Sequence, residues 1–307
     1  MNKILALLLA ACLLLSGCAK TNQALSDTAV TFNDDLGRSV TVDQPRRVAA
    51  LLGSFAQIWM LAGGEVCATA DDAWDDLDLD LPDETVNLGG TKQLSLELLL
   101  AARPDFVLAR ANTRQNLEWQ QTLEAAGITV AYFDVANFDD YLRLLKLCTE
   151  ITGQPERYET YGLAVQDQID AVLQKREGKP GPTVLCMRAS ASSITVKNSQ
   201  DNVLGEMLSA LGCINIADTN DALLETLSME YILACDPEFI FIVQRGDDTQ
   251  GMRDYVARNL ENDPAWSRLT AVREGRVYFM DKHLYNLKPN HRWGEAYEKL
   301  EEILRNG

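Results

Sequence analysis

Five arginines hold the positions in this chain that could do the most chemistry. Arg110, Arg114, Arg188, Arg245 and Arg292 all fall where apolar stretches give way to polar loops, in a chain whose formal net charge is −17. Guanidinium forks pair bidentately with carboxylates and phosphates, and suit catecholates for the same reason, so the set points to an anionic ligand. The alternative for each is a solvated side chain or a salt bridge to one of the many acids. Arg110 and Arg188 are favoured because each directly follows an apolar run. The only two histidines, His283 and His291, lie close together with Tyr285 and Lys288 between them. That grouping suits metal or haem ligation, set against plain solvent exposure. Trp74 and Trp293 are candidates for stacking on a ring system, or for core packing.

Catalytic apparatus is missing from the pattern. The chain has no Gly-x-Ser-x-Gly elbow, no Gly-x-Gly-x-x-Gly after its first strand, no Walker A loop and no His-Glu-x-x-His. No enzyme is expected. The strong negative charge argues against nucleic acid or an anionic membrane surface as partner.

The ends give an address. Lys3 precedes an apolar run, Ile4 to Leu15, too short to span a bilayer and of the length of a signal-peptide core. Leu15-Ser16-Gly17-Cys18 follows, and it resembles the bacterial lipobox, whose cysteine is acylated and becomes the first mature residue. Residues 1–17 then read as a signal peptide and 18–29 as a polar tether, with the chain anchored through lipid on Cys18 at the extracytoplasmic face of the cell membrane; the alternative is an ordinary secretory signal cut elsewhere, or a short anchor helix. Five further cysteines, Cys67, Cys148, Cys186, Cys213 and Cys235, sit in apolar settings with no close pair. They read as buried free thiols rather than a disulfide framework.

The elements that must position these residues alternate. Thr31 to Val42 reads as a hairpin around an Asp-x-Gly turn. Apolar strands near residues 47–52, 66–70, 86–88, 106–109 and 129–133 then alternate with helical spacings, and the alternation restarts at 183–187, 239–243 and 277–280. Continuous apolar strands between helices predict parallel sheets covered on both faces. Helical spacing in 264–272 and in 293–304 closes the chain. Between the halves, Tyr158, Tyr161, Val165, Ile169 and Val172 recur at three- and four-residue steps. That spacing predicts one helix from Glu156 to Arg176, about 30 Å long at 1.5 Å per residue. The fold class is therefore α/β: two Rossmann-like lobes at 30–153 and 181–307, joined by a linking segment at 154–180, with a ligand cleft between the lobes.

A repeated phrase strengthens the two-lobe reading. Ser95-Leu96-Glu97-Leu98-Leu99-Leu100-Ala101-Ala102-Arg103-Pro104-Asp105-Phe106 recurs as Ser228-Met229-Glu230-Tyr231-Ile232-Leu233-Ala234-Cys235-Asp236-Pro237-Glu238-Phe239. Each copy reads as a helix cap, a short helix, a proline stop and an entering strand.

With the lipobox, this repeat, Asp35-x-Gly37-Arg38, the helical bridge and Trp266-x-x-Leu269-x-Ala271-Val272-x-x-Gly275-Arg276-Val277-Tyr278, the chain resembles the solute-binding proteins of ABC importers for iron-siderophore, haem and cobalamin. The resemblance implies an extracytoplasmic receptor, acting as a monomer, that captures an iron chelate and hands it to a permease and its ATPase. Haem or cobalamin is the alternative cargo, and a surface sensor or adhesin the alternative class. No intrinsic cofactor is implied. Two histidines are too few for the free zinc or manganese receptors of related fold, so no direct metal ligand is expected. The resemblance also implies that Glu97 and Glu230 dock one lobe each to the permease; the alternative is a favourable acid in a first helical turn. Sites in open α/β sheets lie outside the carboxyl ends of the strands. That rule adds Ser54, Phe55, Trp74, Gly90 and Thr91 from the first lobe to the arginines. From the second it adds His283, Tyr285 and His291 on the segment running from Asp281 to Arg292.

Overall fold

The computed structural model describes residues 28–200 and 202–307; the signal-peptide and lipidation readings, with most of the tether, lie outside them. A hairpin of β1 (Val30–Asn33) and β2 (Ser39–Val42) opens the described chain. Its turn is organised by the buried Asp34 carboxylate, which accepts from Leu36 N, Arg38 N and the Arg38 guanidinium.

The first parallel sheet follows. It contains β3 (Val48–Ala50), β4 (Val66–Thr69), β5 (Val86–Asn87), β6 (Phe106–Arg110) and β7 (Thr129–Phe133), in the order β5-β4-β3-β6-β7. The second sheet has β8 (Thr183–Ser190), β9 (Ser193–Lys197), β10 (Ile214–Asn215), β11 (Phe239–Gln244) and β12 (Val277–Met280), in the order β10-β8-β11-β12, with β9 antiparallel on β8. In each sheet the strand that enters after the repeated helix pairs with the first strand of its lobe: β6 with β3, and β11 with β8. The α/β class and its two sheets match the sequence expectation.

Both copies of the repeat fold alike. Ser95 Oγ accepts from Leu98 N and Ser228 Oγ from Tyr231 N, capping helices Leu96–Ala101 and Met229–Cys235. The acid after each proline then ties the sheet. Asp105 accepts from the Arg46 and Arg47 amides, and Glu238 from the Thr183 amide, just where β3 and β8 begin. The repeated acid therefore fixes the register of neighbouring strands.

The connection between lobes is helical from Pro155 to Arg176, with a π-turn at Glu159–Leu163. Gly162 lies in that turn, where a Cβ would come within 2.9–3.1 Å of Tyr158 and Leu142, so the glycine permits close approach. Val165, Ile169 and Val172 of this helix join a single apolar cluster that takes in Phe106 of the first sheet, Phe241 of the second, and Ala296, Leu300 and Leu304 of the last helix, Trp293–Asn306. Smaller clusters cover the outer face of each sheet. One core running through both lobes makes their relation stiff.

Two expectations change, and one helix was not expected. The strand expected at 183–187 runs on to Ser190 and turns back as β9 around a Ser190–Ser193 hydroxyl contact of 2.9 Å. The expected helix at 264–272 is two short pieces, Trp266–Arg268 and Thr270–Arg273, because Leu269 is extended and the Asp236 side chain caps Thr270 N from another part of the lobe. A helix at Thr249–Val256 continues into a π-turn where no periodicity announced one.

Candidate functional site

A cavity of about 350 Å³ opens where the two sheets face each other. The carboxyl ends of the strands supply its walls, as the rule for open α/β sheets requires. Beyond β3 come Ser54 and Phe55; beyond β4, Asp72 and Asp76; at the ends of β6 and β7, Arg110 and Asp134. The second lobe contributes Arg188 from β8, with Asn286, Leu287 and Lys288 from the segment after β12.

The electrostatics are uneven. Among the described residues neither Arg110 nor Arg188 has an acid partner, and the buried Nε of Arg188 has no acceptor. Burial, then the neighbouring Arg245, holds the Arg188 guanidinium below the ordinary arginine value. Burial likewise lowers Lys288, with Arg110 adding to the effect, although its Nζ donates to Ala136 O of the first lobe at 2.8 Å. Opposite them, burial pushes Asp72 up to about 6, helped by Asp76 and Asp71, and its Oδ1 accepts from Gly53 N at 2.8 Å. Arg110 and Arg188, one from each lobe and neither ion-paired among the described residues, share the lining with the carboxylates of Asp72, Asp76 and Asp134, so the cavity has mixed charge and its two free guanidiniums suit an anionic group.

The second-lobe segment after β12 is tied to the first lobe at three points. Lys282 Nζ contacts Asp76 Oδ1 at 2.8 Å and also Asp247 of its own lobe. Lys288 reaches Ala136 O. Asn290, fully buried, gives its Nδ2 to Ser54 O at 3.1 Å and to Gln57 Oε1 at 2.6 Å. The segment is thus a strap that ties the lobes together and supplies part of the cavity wall.

Of the sequence candidates, Ser54, Phe55, Arg110 and Arg188 line the cavity, and the others do not. Arg114 is an exposed helix-start residue paired with Glu118 at 2.7 Å. Arg292 is held by Glu295 at 2.7 Å. Arg245 is exposed and acts on the site only through Arg188. Tyr285 is buried in the core with its hydroxyl on Ala296 O, and His291 packs edge-on against Tyr161 of the linking helix. His283 sits in a short turn capped by Asp281, while Trp74, Gly90 and Thr91 are partly exposed beside the lining. Trp293 is core, against Phe138. Among the described residues no group of three or more His, Cys, Asp or Glu is placed to hold a metal ion. The five cysteines are free.

Sequence reasoning missed Asp72, Asp76, Asp134, Lys288 and Asn290 as site residues. Asp72 stands two residues before Trp74 in the same short helix, Asp72–Asp75, and only the tryptophan drew notice as a stacking residue. Lys288 stood out only as a neighbour of the two histidines, and Asn290 gave no local signal, because its partners, Ser54 and Gln57, lie in the other lobe.

Glu97 and Glu230 are both exposed in the first turn of their helices. Each helix leads into the amino end of the strand that follows, so each acid sits toward the carboxyl edge of its sheet, the edge that bears the cavity.

Residues 48–284 match the periplasmic binding protein family model, and the chain belongs to that family of binding proteins, which are not enzymes. The Fe(3+)-citrate-binding protein YfmC of Bacillus subtilis is 24% identical over 298 residues, covering 92% of this chain and 90% of its own. The uncharacterized ABC transporter substrate-binding lipoprotein YvrC of the same organism is 24% identical over 319 residues, covering 98% and 96%. Among solved structures, the periplasmic heme-binding protein RhuT from Roseiflexus sp. RS-1 superposes with a TM-score of 0.68 at 22% identity, covering 85% of this chain and 98% of its own. At that identity the likeness speaks for the fold.

Proposed function

We propose that this protein is the extracytoplasmic receptor of an ABC importer and captures an anionic ferric chelate, of the citrate or siderophore type, between its lobes. The observation that carries the reading is the pair Arg110 and Arg188, converging from opposite lobes on one cavity without an acid partner among the described residues. Such guanidiniums meet the carboxylates or catecholates that wrap a ferric ion. The similarity to an Fe(3+)-citrate-binding protein along nearly the whole chain supports the same ligand class. The cargo's iron stays inside its chelate; the protein binds the chelate's oxygens.

Delivery belongs to the same proposal. Glu97 and Glu230 dock the first lobe (30–153) and the second (181–307) to a permease served by an ATPase, while 154–180 holds the lobes in register. Lipid on Cys18 keeps the receptor, a monomer, at the outer face of the cell membrane, in line with the lipoprotein relative.

Tryptophan fluorescence titration with ferric citrate, a ferric catecholate, haem and cobalamin tests the ligand class. Saturable binding of an anionic ferric chelate, weakened by salt, is expected. Binding of cobalamin or haem alone overturns the reading.

A further inference from the structure

The helix Gly53–Leu61 begins at the cavity wall, and its N-cap residue, Leu52, offers no side-chain cap. The Gly53 amide is taken by Asp72 Oδ1. The next residue is Ser54, which lines the cavity and is 6% exposed. Its hydroxyl is buried with no hydrogen-bond partner among the described residues. A buried hydroxyl left unmatched destabilises the fold, so one that persists in a ligand cavity calls for a use. A serine in a helix ordinarily satisfies itself on a neighbouring backbone group, and this one does not.

The surroundings hold that hydroxyl in place. Ser54 O accepts from Asn290 Nδ2, and Asn290 is fully buried with φ at 51°, a left-handed conformation kept by its neighbours. A strained asparagine from the second lobe therefore fixes the backbone of an unused donor in the first. Helix N-termini favour anions, since their free amides and aligned peptide dipoles present partial positive charge.

The geometry points to an oxyanion subsite at Ser54, in which the Ser54 hydroxyl and the start of helix Gly53–Leu61 receive one anionic oxygen of the ligand while Arg110 and Arg188 hold the rest of its charge. The inference rests on the ferric-chelate reading and adds where one carboxylate or catecholate oxygen sits. Asp72 takes the Gly53 amide and Leu52 O takes the Phe55 and Ala56 amides, so at this helix start the Ser54 hydroxyl is the side-chain donor left without a partner among the described residues.

Ser54→Ala tests the subsite, because it removes one oxygen and leaves the helix start intact. Wild type and S54A are melted without ligand and titrated with ferric citrate. The expected result is an unliganded melting temperature equal to or above wild type, with a Kd raised about tenfold, as for one lost hydrogen bond to an anion. Equal Kd values overturn the subsite and leave the ferric-chelate reading standing. A lower melting temperature also overturns it, since the hydroxyl then has a structural partner. Wild type that binds no ferric citrate removes the ligand reading and the subsite together.

Discussion

Lys282, just past the last strand of the second lobe, bonds Asp76 of the first lobe at 2.8 Å while also contacting Asp247 of its own lobe. Its side chain is only 15% exposed. Burial works against its charge, but the hydrogen bonds to Asp247 and Asp76 outweigh it and hold the amine above the ordinary lysine value. With Asn290 on Ser54, this makes the strap a second tie between lobes beside the linking helix.

Replacing Lys282 by Met should therefore destabilise the protein by about 1–3 kcal/mol, since Asp76 loses its cation partner at the cavity wall. Because the folded-state pKa is raised, the lysine's contribution is fully present below the unfolded lysine value and fades only as pH rises through the folded one. Urea unfolding should show the same loss at pH 6 and pH 8. A K282M midpoint matching wild type would show that the tie carries no energy.

Arg188→Met should separate binding from stability. The half-buried side chain has its Nε buried without an acceptor, lacks an acid partner among the described residues and lies near Arg245, so its removal leaves stability unchanged or raised. Affinity for ferric citrate should fall about 10–100-fold, the range for hydrogen bonds to charged groups. Isothermal titration of R188M with unaltered affinity would sink the anion-site assignment.

Asp72 predicts a pH dependence of unusual sign. Its folded pKa is raised from 3.8 to about 6, chiefly by burial, so the folded state holds the proton more tightly than the unfolded chain. Stability from this group is present below the unfolded value and is lost as pH rises through about 6. The shift corresponds to at most about 3 kcal/mol. Glu295, pushed down to about 2 by Arg292 and Lys299, has the opposite sign, contributing stability that is lost only as pH falls through that value. Asp72→Asn keeps an acceptor for Gly53 N and removes the titration. The difference in unfolding free energy between D72N and wild type should grow in favour of D72N from pH 4.5 to pH 7.5. A difference independent of pH would show that Asp72 does not titrate in this window.

The fold was legible because the strands at 106–110, 129–133 and 239–244 are nearly unbroken apolar runs, and buried parallel strands have that pattern. The return strand β9 escaped because its turn, Ala191-Ser192, contains none of the glycine, proline or asparagine that marks hairpins; serine hydroxyls make it instead. The helix Thr249–Val256 escaped because only Met252 and Val256 face the core. In the site, Arg110 and Arg188 were legible as strand-end residues, whereas Arg114 and Arg292 have the same local look and differ only in a nearby glutamate. Lys288 and Asn290 depend on contacts across the lobes, which no local pattern encodes.

Charge reversal at the two repeated glutamates should uncouple delivery from capture. Glu97 and Glu230 are exposed, and neither contacts the cavity. E97K/E230K should bind ferric citrate like wild type yet fail to support iron uptake in cells, with each single variant intermediate. Undiminished uptake by the double variant would remove the docking role and leave two ordinary first-turn acids.

The repeat carries one more testable asymmetry. Arg103 and Asp236 occupy matching places one residue before the proline, and both leave their helix in the left-handed region, at φ 48° and 43°. Such a conformation costs a non-glycine residue about 1–2 kcal/mol, so glycine relieves strain at both. The two should nonetheless respond in opposite directions. Arg103 offers the neighbouring chain only its carbonyl, which accepts from Arg47 Nε at 3.2 Å and survives substitution. The Asp236 carboxylate accepts from Thr270 N at 2.7 Å and from Thr270 Oγ1 at 2.6 Å, and those bonds hold it below the ordinary carboxylate value. Removing that side chain strips the cap from helix Thr270–Arg273. R103G should thus gain about 1 kcal/mol by relief of backbone strain, whereas D236G should be neutral or lose, because the missing cap offsets the relief. Urea midpoints for the two variants decide it, and a D236G gain as large as that of R103G would show that the Thr270 bonds contribute nothing.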